Sequence, residues 1–178
     1  MLDSSLSQFY LGLLVALLAI AAILLFRQIL KTRRVETRFS KLQGKLTKNK
    51  GTAQEYYELG SIYLEKKLFR QSVQLLQKAL KSKDLKGNEN IALVHNALGF
   101  AHAAQEQYDL AIRQYKEALE QKPDYSTALN NLGFAYEKKQ LTLQAVEAYE
   151  KALTFDPSNK TAKRRVESLR KRLAPSDS

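Results

Sequence analysis

Residues 98–123 read LGFAHAAQEQYDLAIRQYKEALEQKP, and residues 132–157 read LGFAYEKKQLTLQAVEAYEKALTFDP. Leu98, Gly99, Ala111, Tyr115, Ala118 and Pro123 recur as Leu132, Gly133, Ala145, Tyr149, Ala152 and Pro157. A looser copy lies upstream, with Leu59, Gly60, Tyr63 and Ala79 in matching slots. Repetition at a fixed offset means one supersecondary unit stacked on copies of itself. Inside a unit the apolar residues fall at helical steps. Ala111, Tyr115 and Ala118 share one helix face, and Gly99 lets a paired helix approach closely. Pro123 and Pro157 end each unit, because proline cannot continue a helical ladder. Each unit is therefore two antiparallel helices. In the second unit the first helix is expected from about Ile91 to Gln105 and the second from near Tyr108.

The first unit departs from the pattern. Ser72, Leu76 and Asp84 stand where a small residue, an aromatic and a proline are expected. The step from Gly60 to Gly99 is longer than that from Gly99 to Gly133, so extra residues fall within Lys83–Asn90, a polar, turn-like stretch read as an extended loop. After Pro157, Ala162, Val166, Leu169 and Leu173 recur at helical steps among Lys and Arg. That is the pattern of a polar-faced capping helix closing the last apolar surface.

Working toward the N-terminus, Ser4 to Phe26 contains no charged side chain, and Phe9 to Phe26 is almost wholly apolar. Such a run spans about 34 Å as a helix, enough for a hydrocarbon core of about 30 Å. Arg27, Lys31, Arg33 and Arg34 follow at once. These cations would sit at the membrane surface and resist translocation, which puts the N-terminus outside and the repeats on the cytoplasmic or stromal side. A cleaved secretory signal competes with this reading through Ala19-Ile20-Ala21. It lacks a basic leader, and large apolar residues continue to Phe26.

The chain has 178 residues, no Cys and a formal net charge of +11. Disulfides and thiolate chemistry are excluded. The charge is localised: residues 27–50 hold nine Lys/Arg against Glu36 alone, and residues 158–178 hold seven against two acidic residues. The repeat body, 51–157, has 13 basic and 14 acidic residues, so the fold itself is near neutral and nucleic acid is disfavoured as a partner. Val35, Phe39, Leu42 and Leu46 are spaced helically within the basic stretch. Two readings stay open there: a stalk helix continuing from the membrane and packing Phe39 and Leu42 under the first repeat, and an amphipathic helix lying on anionic lipid.

The fold class expected is all-α. The organisation is a transmembrane anchor (4–26), a basic juxtamembrane stalk (27–52), repeat 1 with its loop (53–90), repeat 2 (91–125), repeat 3 (126–159), a capping helix (160–173) and a disordered tail (174–178). No phosphate loop, nucleophile elbow or metal motif is present, so no enzymatic activity and no cofactor are expected. His95 and His102 lie seven residues apart on one helix, about 10.5 Å along its axis and too far to chelate one ion unaided. A packing role is expected for both.

The repeat residues resemble the tetratricopeptide repeat family over about 53–159. The resemblance implies a right-handed α-solenoid whose first helices line a concave groove. The groove-facing slots are Tyr57 and Ser61, Asn96 and Phe100, and Asn130 and Phe134. An amide and an aromatic at one level could bind a peptide backbone and cover an apolar side chain. The subclass that grips chaperone C-termini uses Lys, Asn and Arg at slots that read Tyr57, Ser61, Ala97, Thr127 and Asn131 here, so that cationic clamp is missing. Size, order of parts and the opening M-L-D-S-S-L resemble the small membrane-anchored repeat proteins of photosystem I assembly in cyanobacteria and plastids. That resemblance implies a thylakoid scaffold binding a subunit or assembly factor in its groove. The alternatives are a protein-import or targeting receptor, an anionic-lipid or nucleic-acid binder acting through the basic flanks, and an exported factor of envelope assembly.

Overall fold

The computed structural model describes residues 2–173, with side chains from residue 9 onward. The tail expected at 174–178 lies outside the described residues. The chain divides into two compact units at Lys45–Leu46, and among the described residues every regular element is helical.

Helix α1 runs unbroken from Leu2 to Lys48. Anchor and stalk are therefore one continuous helix, which ends at Lys48. Over its apolar part the mean hydropathy reaches 2.8, and the large side chains from Phe9 to Phe26 are exposed. It is long and apolar enough to cross a membrane. No proline interrupts it, and the hydroxyls of Thr32 and Thr37 fold back to donate to the carbonyls of Gln28 and Arg33.

The second unit is three helical hairpins and a final helix. They are α2 (Ala53–Glu65) with α3 (Phe69–Leu80), α4 (Asn88–Ala103) with α5 (Tyr108–Gln121), and α6 (Ser126–Lys138) with α7 (Thr142–Phe155), followed by α8 (Lys160–Leu173). Each hairpin closes in the same way. Lys67, Glu106 and Gln140 adopt left-handed backbone with φ of 59°, 59° and 60°. The amides that follow them, of Leu68, Gln107 and Leu141, donate to the carbonyls of Tyr63, His102 and Tyr136 at 2.8–3.0 Å. This is the Schellman closure, normally built on glycine.

Inside each hairpin a glycine faces a large side chain sixteen residues on. Gly99 lies under Tyr115, Gly133 under Tyr149, and Gly60 under Leu76. Tyr115, Tyr149 and Leu76 are buried. Ser72 is also fully buried, and its hydroxyl donates to the carbonyl of Gly60 at 2.8 Å. A serine is tolerated in the small-residue slot because its oxygen finds that partner.

The connection between the first two hairpins is shorter than the sequence suggests. Gly87, at φ 85°, ends the loop, and Asn88-Glu89-Asn90 already form the first turn of α4. The helix thus starts before its first apolar residue, Ile91. Asp84, standing in the proline slot, accepts from the amide of Ala53 at 3.0 Å and so caps α2. Thr52 and Glu55 add a reciprocal capping box there. At the other end Ala162, Val166 and Leu169 of α8 cover Val146, Tyr149 and Ala152. Tyr149 donates to Glu137 at 2.7 Å, and Arg165 of α8 lies 3.6 Å from the same carboxylate.

Candidate protein-binding groove

The first helix of every hairpin carries the candidate groove residues. On α4, Asn96 and Phe100 are one turn apart, and on α6 so are Asn130 and Phe134. Phe100 is 47% exposed and Phe134 38%. Rings this open, recurring at one slot, are not spent on the core. The Lys138 ammonium sits 5.5 Å from the centroid of the Phe134 ring, a cation–π contact on the same helix.

The asparagines are not equivalent. The Asn96 amide donates to the Tyr125 hydroxyl at 3.3 Å, and its carbonyl accepts from Asn131 at 3.0 Å. These bonds form a ladder from α4 to α6. Asn96 is therefore tied into the scaffold, less open to a bound backbone than its slot suggests. The Asn130 side-chain oxygen is enclosed without a hydrogen-bond partner. Ser61 donates to the Tyr57 carbonyl at 2.9 Å, so its hydroxyl serves its own helix. The Tyr125 hydroxyl has its pKa raised by burial and by the nearby Tyr57, against the lowering effects of Asn96 and Lys122. The structure thus brings Tyr57, Asn96, Tyr125 and Asn131 into one neighbourhood.

Two further residues beside the candidate groove slots stand outside the sequence expectation. Tyr125 precedes α6 in a turn, where no periodicity marks it. Leu93, 38% exposed on α4, lies three residues before Asn96 and seven before Phe100. Helical spacing from Phe100 would have found it. Arg27, Lys31, Arg33 and Arg34 are exposed on α1, in the other unit. The histidines face away from this cluster of groove residues. His95 Nδ1 is 2.9 Å from Gln114 Oε1, and His102 Nδ1 is 2.7 Å from Gln107 Oε1. Both line an open cleft of about 370 Å³ with Lys81 and Arg113.

Models of known families match the same segments. One described as TPR repeat covers residues 99–140, and models described as tetratricopeptide repeat cover 53–84 and 126–159. The ycf37 protein of Cyanophora paradoxa is 38% identical over 131 residues, covering 73% of this chain and 75% of that one. The chain belongs to the tetratricopeptide repeat family, among the ycf37 relatives. The tetratricopeptide repeat domain-containing protein PYG7, chloroplastic, of Arabidopsis thaliana is 35% identical over 164 residues. That match takes in 92% of this chain, which spans 54% of the longer relative. Among solved structures, MamA superposes with a TM-score of 0.69 at 20% identity, over 76% of each chain. At that identity the likeness is one of fold. A fold of stacked repeats is a protein-interaction scaffold.

Proposed function

We propose that this repeat protein is a membrane-tethered scaffold that holds a segment of a partner protein in its groove. It acts as an assembly or stability factor for a membrane complex, photosystem I being the complex the resemblance points to. The observation that carries the reading is the exposed pair Phe100 and Phe134 at matching slots of successive repeats, beside the hydrogen-bonded ladder of Asn96, Tyr125 and Asn131. Two open rings held in place by that ladder suit an extended segment that offers apolar side chains. The apolar part of α1 supplies the tether, and the cations Arg27, Lys31, Arg33 and Arg34 hold the following chain on the cytoplasmic or stromal side. The chloroplastic relative fits a thylakoid location.

The test is affinity purification of the tagged full-length chain from detergent-solubilised native membranes. Photosystem I subunits should co-purify with the wild type and be lost with Phe100→Ala and Phe134→Ala. Recovery unchanged by both substitutions defeats the groove, and recovery of translocase components instead defeats the photosystem assignment. Release of the intact chain by alkaline carbonate defeats the tether.

A further inference from the structure

Helix α8 closes the core, but its position in the repeat pattern gives it a second part. The 34-residue offset that carries Asn96 to Asn130 carries Asn130 to Arg164. The same step carries Phe100 to Phe134 and then to Ser168, and carries Lys138 to Arg172. Contacts fix the rotation of the helix. Ala162, Val166 and Leu169 point into the core. Arg170 reaches Glu150 of α7 at 2.6 Å, which marks the flank toward α7. Arg165 lies against Glu137 of α6, which marks the opposite flank, toward the groove-lining helix. At about 100° per residue, Arg164, Ser168 and Arg172 share the Arg165 side of the helix, while Lys163 and Glu167 lie on the Arg170 side. Arg164 and Arg172 are exposed, and so is Lys138 on α6.

We infer that α8 is a fourth rung of the groove, and that Lys138, Arg164 and Arg172 form a cationic end that takes acidic side chains of the bound segment. This rests on the groove reading above and adds a polarity to it. The middle rungs offer Phe100 and Phe134, and the last rung offers charge. Arg164 and Arg172 are eight residues apart, about 12 Å along the helix. Two carboxylates on an extended chain, separated by about four residues at about 3.3 Å each, match that spacing. The partner is thus a protein segment with aromatic or apolar side chains followed by Asp or Glu. The cations differ in position from the chaperone-type clamp, whose slots here carry Tyr57, Ser61, Ala97, Thr127 and Asn131.

The experiment is fluorescence anisotropy on the full-length chain in detergent micelles. The probe is a labelled peptide of about a dozen residues, phenylalanines at its centre and Asp/Glu at one end. A second probe carries Lys in place of Asp/Glu. The acidic peptide should bind, the basic one should not, and Arg164→Glu with Arg172→Glu should weaken binding about tenfold. Lys163→Glu, an equal charge change per residue on the far flank, should leave affinity unchanged. Weakening by Lys163→Glu equal to that by Arg164→Glu would mean a net-charge effect, as at an anionic lipid surface, and overturns the rung. So does failure of the acidic peptide to bind. Binding insensitive to the arginine reversals but lost with Phe100→Ala and Phe134→Ala refutes the rung and leaves the groove standing. Sensitivity to the reversals with none to the phenylalanine changes removes the groove reading, and this one with it.

Discussion

The ring of Tyr115 occupies the space that a side chain on Gly99 would need: a Cβ there would lie 2.5 Å from its Cε1. The ring is almost completely buried and has nowhere to move. Gly99→Ala should therefore destabilise the chain by about 1–3 kcal/mol, even though alanine favours a helix by about 1 kcal/mol. At Gly60 the nearest atoms are Cγ and Cδ2 of the buried Leu76 at 3.1 Å, a milder approach than the ring makes at Gly99. Gly60→Ala should therefore cost less than Gly99→Ala. Urea unfolding of both variants checks the contrast, and equal losses would show that the ring is not the obstacle.

Glycine should help where the hairpins turn. Lys67, Glu106 and Gln140 hold left-handed backbone that costs a residue with a Cβ about 1–2 kcal/mol. Replacing Glu106 by glycine should raise stability by about 0.5–1 kcal/mol after the entropy lost from the unfolded chain is counted. The three substitutions sit in separate hairpins, so their effects should add. A drop in melting temperature for any of them would mean that the side chain, not the backbone, sets the turn.

Alkaline pH should unfold the repeats through two phenols. Burial pushes the Tyr115 hydroxyl well above its ordinary value of 10.0, and burial with the bond to Glu137 does the same for Tyr149. Below pH 10 both states keep these protons and the fold loses nothing. Above it the unfolded chain releases them while the folded chain cannot. Stability should then fall by about 1.4 kcal/mol per pH unit for each tyrosine, until the raised folded values are reached. Stability measured against pH for Tyr115→Phe should show a shallower slope above pH 10, and an unchanged slope would assign the loss elsewhere.

Glu137 ties three helices together. It accepts from Tyr149 of α7 and faces Arg165 of α8. Glu137→Ala leaves the Tyr149 hydroxyl without that acceptor and should cost about 1–3 kcal/mol. Tyr149→Phe removes the stranded donor, so the double substitution should cost less than the two singles added together. Strict additivity in the denaturation midpoints would deny the coupling.

The hairpins were legible because packing repeats with the sequence. Gly99 and Tyr115, like Gly133 and Tyr149, keep one spacing, and small residues beside them can only mean close helices. What stayed hidden depends on partners distant in sequence or on backbone shape. The Asn96 ladder joins residues 29 and 35 positions away. The start of α4 at Asn88 is set by Gly87 and precedes the apolar pattern that signals a helix. The turn residues Lys67, Glu106 and Gln140 carry no mark of left-handed backbone, since the surrounding hydrogen bonds impose it. At the candidate groove, exposure of Phe100 and Phe134 followed from their slots, whereas Tyr125 needed the fold to bring it to Asn96.

The contact between Gly60 and Leu76 has a mechanical consequence. An aliphatic side chain closes the first hairpin where tyrosine rings close the other two, and the buried Ser72 hydroxyl bonds across it. A chain held by its N-terminal end receives load through that hairpin first. Pulled from that end, the hairpin closed without an aromatic ring should give way before the two that carry one. Stretching single molecules from the N-terminus should produce an initial rip the length of Ala53–Leu80, and a first rip from the C-terminal end would contradict it.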